Sequence, residues 1–194
     1  MLTKLDIINQ MLAATGTAPL TTNDTTHPFY IKAESKLNIV TRTVQAQGWW
    51  FNRAKRTLNP DIAGEVILPS TTLSVDPVDT SSTFTQRGGK LYDPEDATFI
   101  IGVAVKVILI DEVEISDLPY EAADYIRGRA VYEFFRDEDG GGTKLRDYRD
   151  ERDTAWIALK GANLRFSDLN VFNGTSFMQM QRGYRGHGLP VTDE

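Results

Sequence analysis

The residues able to do chemistry are few and scattered. Histidine occurs twice, at His27 and His187, and cysteine is absent. A metal centre needs histidines, thiolates or carboxylates converging on one point. Here one histidine falls in a loop and the other near the C-terminal end, and neither H-E-x-x-H nor an EF-hand loop is present. The lack of cysteine removes disulfides, thiolate zinc sites and cysteine nucleophiles together. Both histidines are therefore expected to be solvent-exposed, and no cofactor is expected.

Gly140-Gly141-Gly142-Thr143-Lys144 superficially resembles a phosphate loop. A P-loop, however, puts lysine before the hydroxyl residue and follows a strand, so that the lysine meets the phosphates. Here threonine precedes lysine and a helical pattern precedes the glycines, which reads as a flexible interhelical turn. Carboxylates are plentiful between Asp76 and Glu114, and a pair of them is what glycoside hydrolysis requires. Most fall in or near turns, whereas a general acid needs an apolar pocket to raise its pKa. Among these, Asp76, Asp93 and Glu95 carry the alternative reading of a glycan hydrolase acting on cell-surface polysaccharide.

The run Arg136–Asp153 mixes both signs of charge. It reads as a solvated helix face that could also form ion pairs between subunits. Beyond Ser167, Phe172, Phe177, Met178, Met180, Arg182, Tyr184 and Arg185 stand isolated among Gly, Asn and Ser. Aromatic and methionine anchors on a polar segment suit a partner-binding arm.

Elements that would position these residues follow from periodicity and breakers. Leu5, Ile8 and Leu12 draw a helix over 2–15, with Thr3 and Asp6 able to cap it and Gly16 to stop it. A second helix runs from about Pro28 to Gln47, on Ala33, Leu37, Val40 and Val44. The period then changes. Strands are expected at 51–58, 65–68, 72–75, 84–87, 90–93 and along Thr98–Ile110, with Gly88-Gly89 as a two-residue hairpin turn. Helical periodicity returns at Pro119 through Ala122, Ile126, Ala130 and Phe134. It resumes after the glycines through Leu145, Tyr148, Arg152, Ala155, Leu159, Ala162 and Phe166, with Arg146–Asp150 and Arg149–Asp153 as i,i+4 pairs.

Where helical period becomes strand period stands Gly48-Trp49-Trp50-Phe51-Asn52, holding two of the three tryptophans. A large ring buries on the order of 150–250 Å², so Gly48, Trp49, Trp50 and Phe51 are expected to form a structural junction. The resulting fold class is α+β: a four-helix bundle-like scaffold (1–50 and 117–167), an inserted antiparallel β-sandwich or barrel module (51–116), and an extended C-terminal arm (168–194). The chain of 194 residues has a net charge of −6. That disfavours a dedicated nucleic-acid binder, which shows a basic excess. No apolar run is long enough for a membrane span, and the first residues lack a signal-peptide pattern, so cytoplasmic synthesis is expected.

Taken in order, these pieces resemble the tail tubular protein A family of short-tailed bacteriophages, the head-to-tail adaptors. The resemblance is carried by Ile8-Asn9-Gln10-Met11-Leu12 with Gly16 and Pro19-Leu20, and by Gly48-Trp49-Trp50-Phe51-Asn52. It continues in Ile67-Leu68-Pro69, Leu73-Ser74-Val75, Arg87-Gly88-Gly89-Lys90-Leu91-Tyr92-Asp93, Leu118-Pro119, Tyr125-Ile126 and Arg129-Ala130, over about residues 5–165. It implies a virion protein without catalytic residues, self-associated as a dodecameric ring between the portal protein and the tail nozzle protein. The ring would help form the tail-fibre attachment site, and DNA would pass through its lumen during genome ejection without sequence-specific binding.

Overall fold

The computed structural model describes residues 2–23, 26–79 and 83–172. Helix α1 spans Lys4–Ala14 and starts with a reciprocal cap. The Asp6 amide donates to the Thr3 hydroxyl (3.2 Å), and the Thr3 amide donates to the Asp6 carboxylate (2.9 Å). Both residues were expected at this cap. Ile7, Ile8, Met11 and Leu12 are fully buried. Helix α2 spans Pro28–Gln45, with proline in the first turn where its missing N–H costs nothing.

Helix α3 spans Tyr120–Glu138 and α4 spans Thr143–Phe172. A single 3₁₀ turn, Ile115–Asp117, leads into α3. Helix α3 is the hub, packing against α4, α2 and α1, while α1 also packs on α2. Gly128 is what lets α4 come close. A β-carbon there would lie 3.4 Å from the Arg152 Cα. Gly140 and Gly142 take φ of +72° and +95° in the reversal between α3 and α4, a region open to glycine. Helix α4 continues to Phe172, so residues 168–172, expected to begin the extended arm, are helical although the apolar periodicity stops at Phe166.

Hydrogen bonds between side chains brace this half. Asn9 clamps the loop after α1, donating to the Leu20 carbonyl (2.9 Å) and accepting from its amide (2.8 Å). The Arg127 guanidinium donates to Gln10 on α1 (3.1 Å), Asp124 on α3 (2.9 Å) and Glu151 on α4 (2.6 Å). A half-buried arginine with three acceptors is well matched to its five donors.

Between α2 and α3 lies the strand-rich segment. Strands β1 (Arg53–Leu58), β2 (Thr72–Pro77) and β5 (Val105–Asp111) form an antiparallel sheet in the order β1-β5-β2. Strands β3 (Thr85–Arg87) and β4 (Lys90–Tyr92) form the expected hairpin, with Gly88 and Gly89 at φ +58° and +76°. Two expected strands differ. Thr98–Ile110 is a strand only from Val105, because the chain passes Gly102 at φ +69° and makes only isolated bridges before it. Residues 65–68 form bridges rather than a ladder, yet alternate as a strand would: Val66 and Leu68 are buried and Ile67 is exposed. These two join Val75, Leu91, Val105, Val107 and Leu109 in a second apolar core. The architecture is mixed α and β, with four helices and small antiparallel sheets.

Candidate functional site

The two cores meet at residues 44–52. Gly48 adopts φ +74°, and a β-carbon there would sit 2.7 Å from the Ile110 Cδ1. Only glycine meets both conditions without strain. The turn delivers Trp49 into the helical core, where its ring is buried and packs edge-on to Trp156 of α4 at 5.6 Å. Its indole N–H donates to the Val44 carbonyl at 2.7 Å, so burial leaves no polar atom unpaired. Trp156 in turn packs on Tyr125 of α3 at 4.9 Å. The Trp49–Trp156 pair therefore ties the end of α2 to both later helices.

Trp50 differs. It is half-buried, stacks on Phe166 at 5.1 Å, and meets Phe51 edge-on at the same distance. Its amide donates to Asn163 of α4 (3.3 Å).

Beneath the rings lie two buried amides that the sequence reading did not single out as functional. Asn52 accepts from the Trp49 amide (2.9 Å) and donates to the carbonyls of Gln45 (2.9 Å) and Asp111 (3.0 Å). Gln45 donates to the Val113 carbonyl and accepts from the Val113 amide, both at 2.8 Å. The two side chains thus stand in for backbone partners and lace the end of α2 to the end of β5. Gln45 adjoins Val44 on the inward face of α2, and an amide at a core-facing position was the signal available in the sequence.

Other candidates fall elsewhere. His27 is not simply exposed: it is half-buried and caps α2, its Nδ1 accepting from the Tyr30 amide (3.4 Å) while its ring lies 6.1 Å from Phe29. Asp93 caps its own turn, accepting from the amides of Glu95 (2.9 Å) and Asp96 (3.4 Å). Asp76 is an exposed residue of β2. Glu95 is exposed as well. Gly140–Gly142 is an interhelical turn.

The expected pairs Arg146–Asp150 and Arg149–Asp153 are replaced by Arg149–Asp150 (3.8 Å) and Arg152–Asp153 (2.6 Å). The Arg152 guanidinium also lies over the Tyr132 ring at 4.4 Å. Phe172 is the last residue of α4. Phe177, Met178, Met180, Arg182, Tyr184 and Arg185 lie outside the described residues. Among the described residues, no group of three or more His, Asp or Glu is placed to hold a metal ion, and no helix is long and apolar enough to cross a membrane.

The chain is similar to "Tail tubular protein A" of Klebsiella phage KP34, with 27% identity over 148 residues covering 76% of this chain and 80% of that protein. A family model described as tail tubular protein matches residues 5–167, from the second residue of α1 into α4 and across both cores. The matched span covers most of the chain and contains the whole Gly48–Asn52 junction, so the chain belongs to the tail tubular protein family, a structural component of the phage tail.

Proposed function

We propose that this chain is the head-to-tail adaptor of a short-tailed phage, assembled as a dodecameric ring between portal and tail nozzle. The observation that carries the reading is the family match over residues 5–167. In this role the chain contributes surfaces rather than reacting groups, and it is not an enzyme. The helices form a four-helix bundle scaffold (1–50 and 117–167), and the segment 51–116 is a small β-sandwich or barrel module held out from it. Gly48, Trp49, Trp50 and Phe51 are the post that fixes one to the other. The fixed angle supports a ring, because small errors in subunit shape accumulate around a closed cycle.

The segment after α4, with Phe177, Met178, Met180, Arg182, Tyr184 and Arg185, is the arm that reaches a neighbouring protein, and it starts from Phe172 at the end of that helix. The nozzle and the tail fibres bind the ring, and DNA crosses its lumen during ejection. A net charge of −6 supports passage without adhesion, since sticking to DNA depends on phosphate neutralisation by Lys and Arg.

Electron microscopy of the chain co-expressed with its portal tests this directly. The expected result is a ring of added density at the portal's tail-side opening. Bare portals beside folded, unattached chain would overturn the reading.

A further inference from the structure

Among the described residues, exposed apolar side chains line one face of α4 and one face of α2. On α4 the inward seam is Ala155, Leu159 and Ala162, all buried. Half a turn around lies an outward ridge of Ile157, Gly161 and Leu164, whose Ile157 and Leu164 are 70% and 62% exposed. On α2 the outward stripe is Ile31, Ser35 and Ile39, with the isoleucines 50% and 58% exposed. This stripe forms one wall of a groove of about 380 Å³ between α2 and α3, lined also by Phe134. The rim is made of two ion pairs, Lys32–Glu138 (3.0 Å) and Lys36–Asp137 (2.7 Å).

Helix α4 packs along α3 with its ridge turned away, so the ridge does not fill the groove of its own chain. We propose that the ridge of one copy lies in the α2–α3 groove of the next, and that this is the contact which propagates the ring. The inference rests on the ring reading above and adds which two faces meet.

Three features support a second copy as the occupant. First, a ridge and a groove are different patches, and contact between different patches of identical chains builds rings rather than closed pairs. Second, the spacings match: at about 1.5 Å per residue, seven residues from Ile157 to Leu164 span about 10.5 Å and eight from Ile31 to Ile39 about 12 Å. Third, the charges agree in one orientation. Antiparallel seating puts Ile157 by Ile39 and Leu164 by Ile31, and it carries Asp150 and Asp153, on the same side of α4, toward Arg42 at the end of the α2 stripe. Arg42 is well exposed and, among the described residues, pairs with Glu112 at 3.5 Å through Nε, leaving donors to spare. Antiparallel helices also oppose their macrodipoles favourably.

The absence of native cysteine allows a clean test. The full chain is made with Ile39→Cys alone, with Ile157→Cys alone, and with both. The two single variants are also mixed in equal amounts. All are mildly oxidised at concentrations where sedimentation gives a mass above the monomer. A disulfide needs Cα atoms within about 7 Å. The mixture is expected to yield several-fold more cross-linked dimer than either single variant, and the double variant a ladder of higher species. Ile157→Asp with Leu164→Asp is expected to abolish association while leaving the circular dichroism melt unchanged, because both positions are exposed.

Persistent association without the mixed disulfide would overturn the assignment of faces and leave the ring reading standing. Cross-linking of Ile157→Cys to itself as readily as to Ile39→Cys would replace it with a two-fold contact. A chain that stays monomeric at every concentration, alone and with portal, would overturn both.

Discussion

Single side chains in this protein separate structural roles that look alike in the sequence. Trp49 and Trp50 are adjacent and chemically identical, but the Gly48 turn sends the first ring inward and leaves the second against Phe166. Trp49→Ala is expected to cost about 3–5 kcal/mol, the range for a deleted core aromatic. Trp50→Ala is expected to cost about 1–2 kcal/mol, since it loses one stacked pair and partial burial. Chemical denaturation of both variants checks the difference, and equal losses would contradict the placement. Thr41 offers the opposite case. Its hydroxyl is buried on α2, and among the described residues its Oγ1 has no hydrogen-bond partner. Replacing an unpaired buried hydroxyl by a methyl of the same shape removes a desolvation cost. Thr41→Val should therefore raise the unfolding free energy by about 1 kcal/mol in the same measurement.

Between elements, ion pairs stitch α2 to α3 along the outer groove. Lys36 and then Arg136 donate hydrogen bonds to Asp137, and these hold its carboxyl below the ordinary value of 3.8. A carboxylate whose pKa is depressed by folding adds stability above its unfolded pKa. That stability is lost as pH falls through the folded value. The wild-type chain should lose stability on acidification below about pH 4, and Asp137→Asn should flatten that part of the profile. The effect is small because Asp137 is partly solvent-screened. Urea titrations of both chains across the acid range measure it, and an unchanged slope would show that the pair contributes nothing.

Across the whole molecule, two apolar cores are linked by two buried amides. Asn52 satisfies the Trp49 N–H and the carbonyls of Gln45 and Asp111. Asn52→Ala leaves the Trp49 N–H without its acceptor and removes a donor from the Asp111 and Gln45 carbonyls, of which the Gln45 carbonyl keeps the Gly48 amide at 3.1 Å. The loss is expected to cost on the order of 3 kcal/mol. Its second effect distinguishes a junction from ordinary core packing. The wild type should melt in one transition, while the variant should show the helical and strand-rich halves losing structure at different temperatures. Tryptophan fluorescence reads the helical half, since Trp49 lies in the helical core and Trp50 and Trp156 pack against it, and far-ultraviolet circular dichroism recorded beside it reads both halves. Coincident melts in the variant would place the coupling elsewhere.

Much of this architecture is written locally. The α1 cap, the four helices, the Gly88-Gly89 hairpin and the change of period at Gly48 are each set by neighbours within a few residues, which is why periodicity and breakers reveal them. The ends of Thr98–Ile110 were less legible: β-branched composition continues through the segment, whereas Gly102 and the available partners decide where a ladder forms. Three things were decided only by tertiary structure. Trp49 rather than Trp50 enters the core, Gln45 and Asn52 substitute for backbone partners some sixty residues away, and Ile31, Ile39, Ile157 and Leu164 are left uncovered. Each depends on what lies across from a residue, and that is fixed when the helices dock around α3, not by the residues beside it in the chain.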